Sequence, residues 1–214
     1  MQSPPIMPSP ETIVQGLNRV ANDFIPLALA WHVALVATLV GAATRRFQPT
    51  QRLAGALLAL PVLSVGVLAW RTGNPFNGTV FVALTVALLL VARRLSARRV
   101  SCGPRWAVGL GLVAIAYAAV YPHFVALESA WLYPLVAPVG LVPCPTLSLV
   151  VGFGLLADSL DSRAWSLTVG LAALAYALFG MLALGVWLDL GLLVAGCGLL
   201  IRELSAGRER ASRR

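Results

Sequence analysis

Read for hydropathy, the chain alternates long apolar runs with short polar joints. A helix that crosses a bilayer needs about 20 mostly apolar residues. Seven stretches meet or approach that length: residues 24–43, 53–70, 76–92, 106–124, 141–157, 164–184 and 186–201. The first, second, fourth and sixth hold no acidic or basic side chain apart from His32 and His123. The third is short, but Asn74-Pro75 marks a turn before an unbroken apolar run. The fifth opens on Pro143-Cys144-Pro145, so its regular helix is expected only from about Thr146. The seventh carries Asp189 near its start, which leaves Leu190 to Ile201 as its purely apolar part. The pattern predicts an all-α, polytopic transmembrane bundle of seven helices, or of five if the fifth and seventh segments are re-entrant or buried.

Ahead of the first span, Ser9-Pro10 has the form of a helix cap with proline at the first helical position. Ile13, Val14, Leu17 and Val20 then share one face, as in an amphipathic helix lying on a membrane surface. No cationic leader precedes it, so a cleavable signal peptide is not expected. The expected organisation is an external segment 1–23 with a short amphipathic helix, one transmembrane domain 24–201 and a basic tail 202–214. No internal repeat is present, and no connection is long enough for a water-facing domain.

Composition agrees. Of 214 residues 59% are apolar and only 11% charged, against about a quarter charged in soluble domains, and the mean hydropathy is +0.84. The net charge of +8 comes from 16 basic residues, all arginine, against eight acids. Cytoplasmic loops are enriched in Lys and Arg. With the N-terminus outside and seven spans, 14 of the 16 arginines fall on the cytoplasmic side and only Arg19 and Arg71 outside. A six-span arrangement would export the five tail arginines and is rejected. The basic charge thus records orientation rather than nucleic-acid binding, although the Arg-rich side also suits anionic lipid. Trp70, Trp106, Trp131, Trp165 and Trp187 fall near the expected interfaces, as an aromatic belt would.

Chemistry is sparse. Cys102, Cys144 and Cys197 have no Cys-x-x-Cys spacing, and topology separates Cys102 from Cys144, so a disulfide is not expected. Cys197, in Ala195-Gly196-Cys197-Gly198, reads as a small packing residue. The block Pro143-Cys144-Pro145-Thr146 holds a thiol at a helix N-terminus, where the dipole favours thiolate and a soft metal ion would find a ligand; alternatively its prolines only shape the start of a broken helix. Around it the outer side gathers Tyr121, His123, Glu128, Tyr133 and Asp189. With Cys144 and Thr146 these are the candidate ligand-binding residues, and Cys144 with His123 the candidate metal pair. The same groups also fit ordinary interfacial roles, Asp189 as the N-cap of the seventh span. His32, about 12 Å into the first span at 1.5 Å per residue, is the intramembrane polar candidate, either a proton or cofactor ligand or a neutral core residue. No second intramembrane histidine exists for bis-histidine haem. Gly191 and Ala195 have the small-xxx-small spacing of close helix contacts, within the bundle or toward another subunit. Motifs for phosphate transfer, serine hydrolysis and zinc proteolysis are absent, so an enzyme is not the expected reading and no cofactor is assigned.

Tyr121-Pro122, Tyr133-Pro134, Pro138, Gly140 and Pro143-Cys144-Pro145-Thr146, running into an apolar helix, resemble a family of bacterial multi-pass membrane proteins known as a domain of unknown function. Residues 185–196 resemble its last helix, and the likeness extends over residues 11–201. The resemblance implies a helical inner-membrane protein and no particular activity. The family commonly has Gly-His before the second Tyr-Pro, where this chain has Ala130-Trp131-Leu132. A His–Cys metal pair would therefore need His123 in its place. The leading expectation is handling of a small solute or soft metal ion at the external Pro-Cys-Pro-Thr site. The alternatives are an accessory subunit packing through its Gly-rich faces, and an intramembrane redox enzyme using His32.

Overall fold

The computed structural model describes residues 9–127 and 129–212. Among these, every regular element is helical, and a single bridge between Thr50 and Arg99 supplies the β-type pairing. Helix α1 spans Pro10–Asp23, with Ser9 Oγ accepting from the Thr12 N–H at 3.3 Å. Its inner face is Ile13, Leu17, Val20 and Ala21, close to the expected amphipathic stripe. The chain turns at Phe24 into α2 (Ile25–Ala43).

Helix α3 (Gln51–Arg71) is capped by Thr50, and α4 (Pro75–Arg94) starts at Asn74-Pro75 as expected, with Asn74 capping Asn77 at 3.0 Å. Then come α5 (Arg105–Val120), a short α6 (Tyr133–Val136), α7 (Pro143–Leu156), α8 (Arg163–Ala183) and α9 (Leu190–Ser212). Four of these, α2, α3, α4 and α8, are long and apolar enough to cross a membrane, while α5 and α7 are apolar but shorter.

Helix α7 occupies the centre. It is apolar on every side and has 11 buried residues in its 14, as expected for a helix enclosed by neighbours rather than half-facing lipid. It begins at Pro143, three residues before the expected start. Its prolines stand in the first turn, where a backbone N–H has no helical partner to lose. Helix α5 lies against it so closely that a methyl group on Gly111 would meet the Gly152 carbonyl at 2.7 Å. Ser148 Oγ ties the pair by donating to the Ala114 carbonyl at 3.0 Å.

The main core joins α3, α4, α5, α7, α8 and α9 around Val62, Phe81, Leu88, Val150, Leu155, Trp165 and Leu199. Trp165 is fully buried, which removes it from the aromatic belt; Trp70, Trp106, Trp131 and Trp187 are exposed. Cys197, read as a small packing residue, is exposed as well. Helix α2 sits outside this core, with Val33, Val36 and Val40 more than half exposed, a surface suited to lipid.

At the Arg-rich end, the loops before α3 and after α4 are stitched by backbone bonds from Gln51 to Arg98 (2.9 Å) and from Val100 to Pro49 (3.1 Å). Between α7 and α8, Asp158, Ser159, Leu160 and Asp161 all take positive φ, 48° to 58°. Leu160 is buried in the core, and Arg202 pairs with Asp158 at 2.8 Å, so side-chain anchoring offsets the strain of this left-handed turn.

Candidate functional site

At the opposite end of the bundle from the arginines, three of the residues singled out by sequence meet. Tyr121 follows the last turn of α5, Cys144 lies in the first turn of α7, and Asp189 ends the 3-10 turn Trp187–Asp189 before α9. The Tyr121 hydroxyl donates to Asp189 Oδ1 at 2.7 Å, and the Cys144 thiol donates to Oδ2 at 3.1 Å. Tyr121 and Asp189 are 0% and 1% exposed. Asp189, the residue before α9, turns its carboxylate inward as an acceptor. Cys144 sets its sulfur against that carboxylate.

The turn that aims Asp189 inward is set by local chemistry. Gly185 has φ +69°, a conformation glycine adopts without a Cβ penalty. The Val186 N–H then donates back to the Gly180 carbonyl at 2.9 Å, and Asp189 N–H to the Val186 carbonyl at 3.0 Å. This folds the carboxylate over α8 at Gly180, where a Cβ would occupy the space of Oδ2.

Beside this cluster lies a cavity of about 20 Å³, lined by Cys144, Asp189, Asn77, Tyr176, Gly180 and apolar groups including Ile13, Leu17, Phe124 and Phe179. Its second polar wall is a pair, with the Tyr176 hydroxyl donating to Asn77 Oδ1 at 3.1 Å. Aromatic rings frame the rest. Tyr117 meets Tyr121 edge-on at 5.5 Å, Tyr121 stacks on Phe124 at 6.2 Å, and the Tyr117 hydroxyl donates to the Leu188 carbonyl.

The other candidates are placed differently. Tyr133 donates to the Val125 carbonyl at 3.2 Å. Thr146 Oγ1 accepts from Gly140 N–H at 2.8 Å and donates to the Val142 carbonyl at 2.7 Å; both residues therefore brace the loop that leads into α7. His123 packs edge-on against Phe124 at 4.3 Å, and burial holds its imidazole below the ordinary histidine range. It does not line the cavity beside Cys144. Glu128 lies outside the described residues. Among the described residues no group of three or more His, Cys, Asp or Glu side chains is gathered as a metal ion would require.

His32 bridges α2 to α5, with Nδ1 at 2.9 Å from the Ala28 carbonyl and Nε2 at 3.2 Å from the Ala119 carbonyl. Both ring nitrogens are turned to backbone oxygens, an arrangement of a structural tie.

Sequence reasoning missed Asn77, Tyr176 and Gly180. Tyr176 stands as a lone hydroxyl in an otherwise apolar stretch of α8, which is a readable signal. Asn77 was hidden by its nearness to a turn, and Gly180 among many glycines. Compared with protein-family models, with curated proteins and with solved structures, the chain has no match in any of the three.

Proposed function

We propose that the protein is a seven-span membrane protein of a bacterial inner membrane that handles a small solute or ion at the Cys144–Asp189 pocket, on the outer side. The span count draws support from the alternation of elements between the two ends. Helices α5 and α7, though short, pack side by side in the bundle, and α9 continues the series past Ile201. Orientation draws support from the arginines, which gather at the end away from the pocket.

The observation that carries the functional reading is the buried Asp189 carboxylate beside a mainly apolar cavity that Asn77 and Tyr176 also line. An ionisable side chain inside a membrane bundle is costly to bury and marks a functional site by default. Between the two branches, small solute and soft metal, the pocket favours the first. The partner of the Cys144 sulfur is a hard carboxylate oxygen, and soft metals select several sulfur or imidazole ligands. The accessory-subunit reading draws less support, since Gly111, Gly152, Gly170, Gly191 and Gly196 all meet neighbouring helices of the same chain.

The test is mass-spectrometric and elemental analysis of the protein purified in mild detergent, as wild type and as Asp189→Asn. A species bound to the wild type and missing from the variant is the expected result. Identical content in both would refute the reading.

A further inference from the structure

Asp189 is 1% exposed, and the ion pair of Arg202 with Asp158 lies at the other end of the bundle. Its two hydrogen-bond donors, Tyr121 and Cys144, are neutral. Each oxygen of the carboxylate thus has one donor, and an ionised Asp189 has no positive partner among the described residues. Burying a charge without a counter-charge is strongly unfavourable.

The cavity that Asp189 lines has the volume of one water molecule, about 20 Å³ against roughly 10–15 Å³ needed to hold one. Its other polar residues are Asn77, Tyr176 and Cys144. Asn77 Oδ1 accepts one hydrogen bond from Tyr176 and keeps a second lone pair, and the Tyr176 oxygen keeps its own. The rings of Phe124 and Phe179 complete the wall, and aromatic faces attract cations.

We infer that this cavity binds a small monovalent cation, in the size range from sodium to ammonium, with Asp189 as counter-charge and Asn77 and Tyr176 as oxygen ligands. A divalent ion is disfavoured by charge, since the single carboxylate of this largely apolar pocket would leave a net positive charge buried. The inference rests on the proposed role of the Asp189 pocket and narrows it to an ion class.

The experiment is thermal unfolding of the full chain in detergent at pH 7.5 and constant ionic strength. Choline chloride is replaced stepwise by NaCl, KCl or NH4Cl. A ligand that binds only the folded state raises the midpoint in proportion to the logarithm of its concentration once it exceeds Kd. The expected result is such a rise for at least one of the three small cations, with none for choline, which is too large for the cavity. Asp189→Asn should abolish the rise, and Tyr176→Phe should shift it to about tenfold higher cation concentration. If Asp189→Asn does not fold, Tyr176→Phe and sodium-23 line broadening on the wild type give the same decision. A midpoint that is the same in all four salts, or equally salt-dependent in the folded Asp189→Asn protein, overturns the inference. A midpoint that answers to pH alone assigns the charge to a proton on Asp189 and overturns it too. Where ligand analysis finds another solute in the wild type while the cations change nothing, the pocket keeps its role and only the ion class falls. Silence in both experiments sinks the two together.

Discussion

Gly180 and Asp189 occupy one another's space: a Cβ on the glycine would coincide with the position of the Asp189 Oδ2. The carboxylate lies on bare helix backbone, so the absence of a side chain at residue 180 is what lets a buried acid reach Tyr121 and Cys144. Gly180→Ala should push the carboxylate away and cost about 1–3 kcal/mol, the range for overpacking a well-filled site. Combined with Asp189→Ala, the alanine should be tolerated, giving a coupling of at least about 1 kcal/mol in a double-mutant cycle. Detergent-induced unfolding curves of the four proteins measure it, and additive effects would mean the two positions do not compete for space.

Tyr121 and Tyr117 both donate through their phenols, but to different acceptors. Tyr121 serves the buried carboxylate, and Tyr117 serves the Leu188 backbone carbonyl in a more exposed setting. Removing a partner of a buried charged acceptor costs about 1–3 kcal/mol, whereas a typical hydrogen bond is worth about 0.5–1.5. Tyr121→Phe should therefore destabilise more than Tyr117→Phe. The same unfolding assay ranks them, and the reverse order would contradict the assignment of Asp189 as the more demanding acceptor.

Helix α1 covers one side of the pocket. Ile13 and Leu17 of that helix line the cavity, and Asn22 fastens its far end. The Asn22 side chain donates to the Phe124 carbonyl at 2.9 Å and accepts from the Ala126 N–H at 3.0 Å. Asn22→Ala removes both bonds, and at about 0.5–1.5 kcal/mol each the open fraction should rise about tenfold. With the exposed Cys102 and Cys197 replaced by serine, the alkylation rate of Cys144 reports this opening. Gln15→Ala, on the exposed face of α1, should leave the rate unchanged. Equal rates for Asn22→Ala and the parent would show that α1 does not control access.

The turn between α7 and α8 offers a stabilising change. Ser159 has φ 58°, is buried, and its hydroxyl has no hydrogen-bond partner. The left-handed conformation costs an L-residue about 1–2 kcal/mol, partly offset in glycine by the entropy of its freer unfolded chain, about 0.5–1 kcal/mol. Ser159→Gly should raise stability by up to about 1 kcal/mol beyond Ser159→Ala, which removes the unpaired hydroxyl but keeps the strain. Thermal midpoints of the two variants decide, and a lower midpoint for the glycine variant would contradict the strain argument.

Helices α2, α3, α4 and α8 were legible because each is an uninterrupted apolar run of membrane-spanning length, and the start of α4 because Asn74-Pro75 has only one local use. The start of α7 was misplaced because prolines were read as helix breakers, when in a first turn they cost nothing. Trp165 was misassigned because position near a span end does not distinguish a side chain pointing to lipid from one pointing between α3, α7 and α9.

Hydropathy and the placement of arginines therefore determine by themselves that the chain is helical, with runs long and apolar enough to cross a membrane, and which end is basic. Both are properties of a residue's transfer from water, and need no knowledge of its neighbours. The meeting of Asp189 with Cys144, 45 residues away, and with Tyr121, 68 away, was decided only by the tertiary structure. It depends on the angle of the turn at Gly185, on the missing side chain at Gly180 and on the packing of α5 against α7. Hydrogen bonds of this kind are set by distances of a fraction of an ångström between helices, and no periodicity along a single chain encodes them.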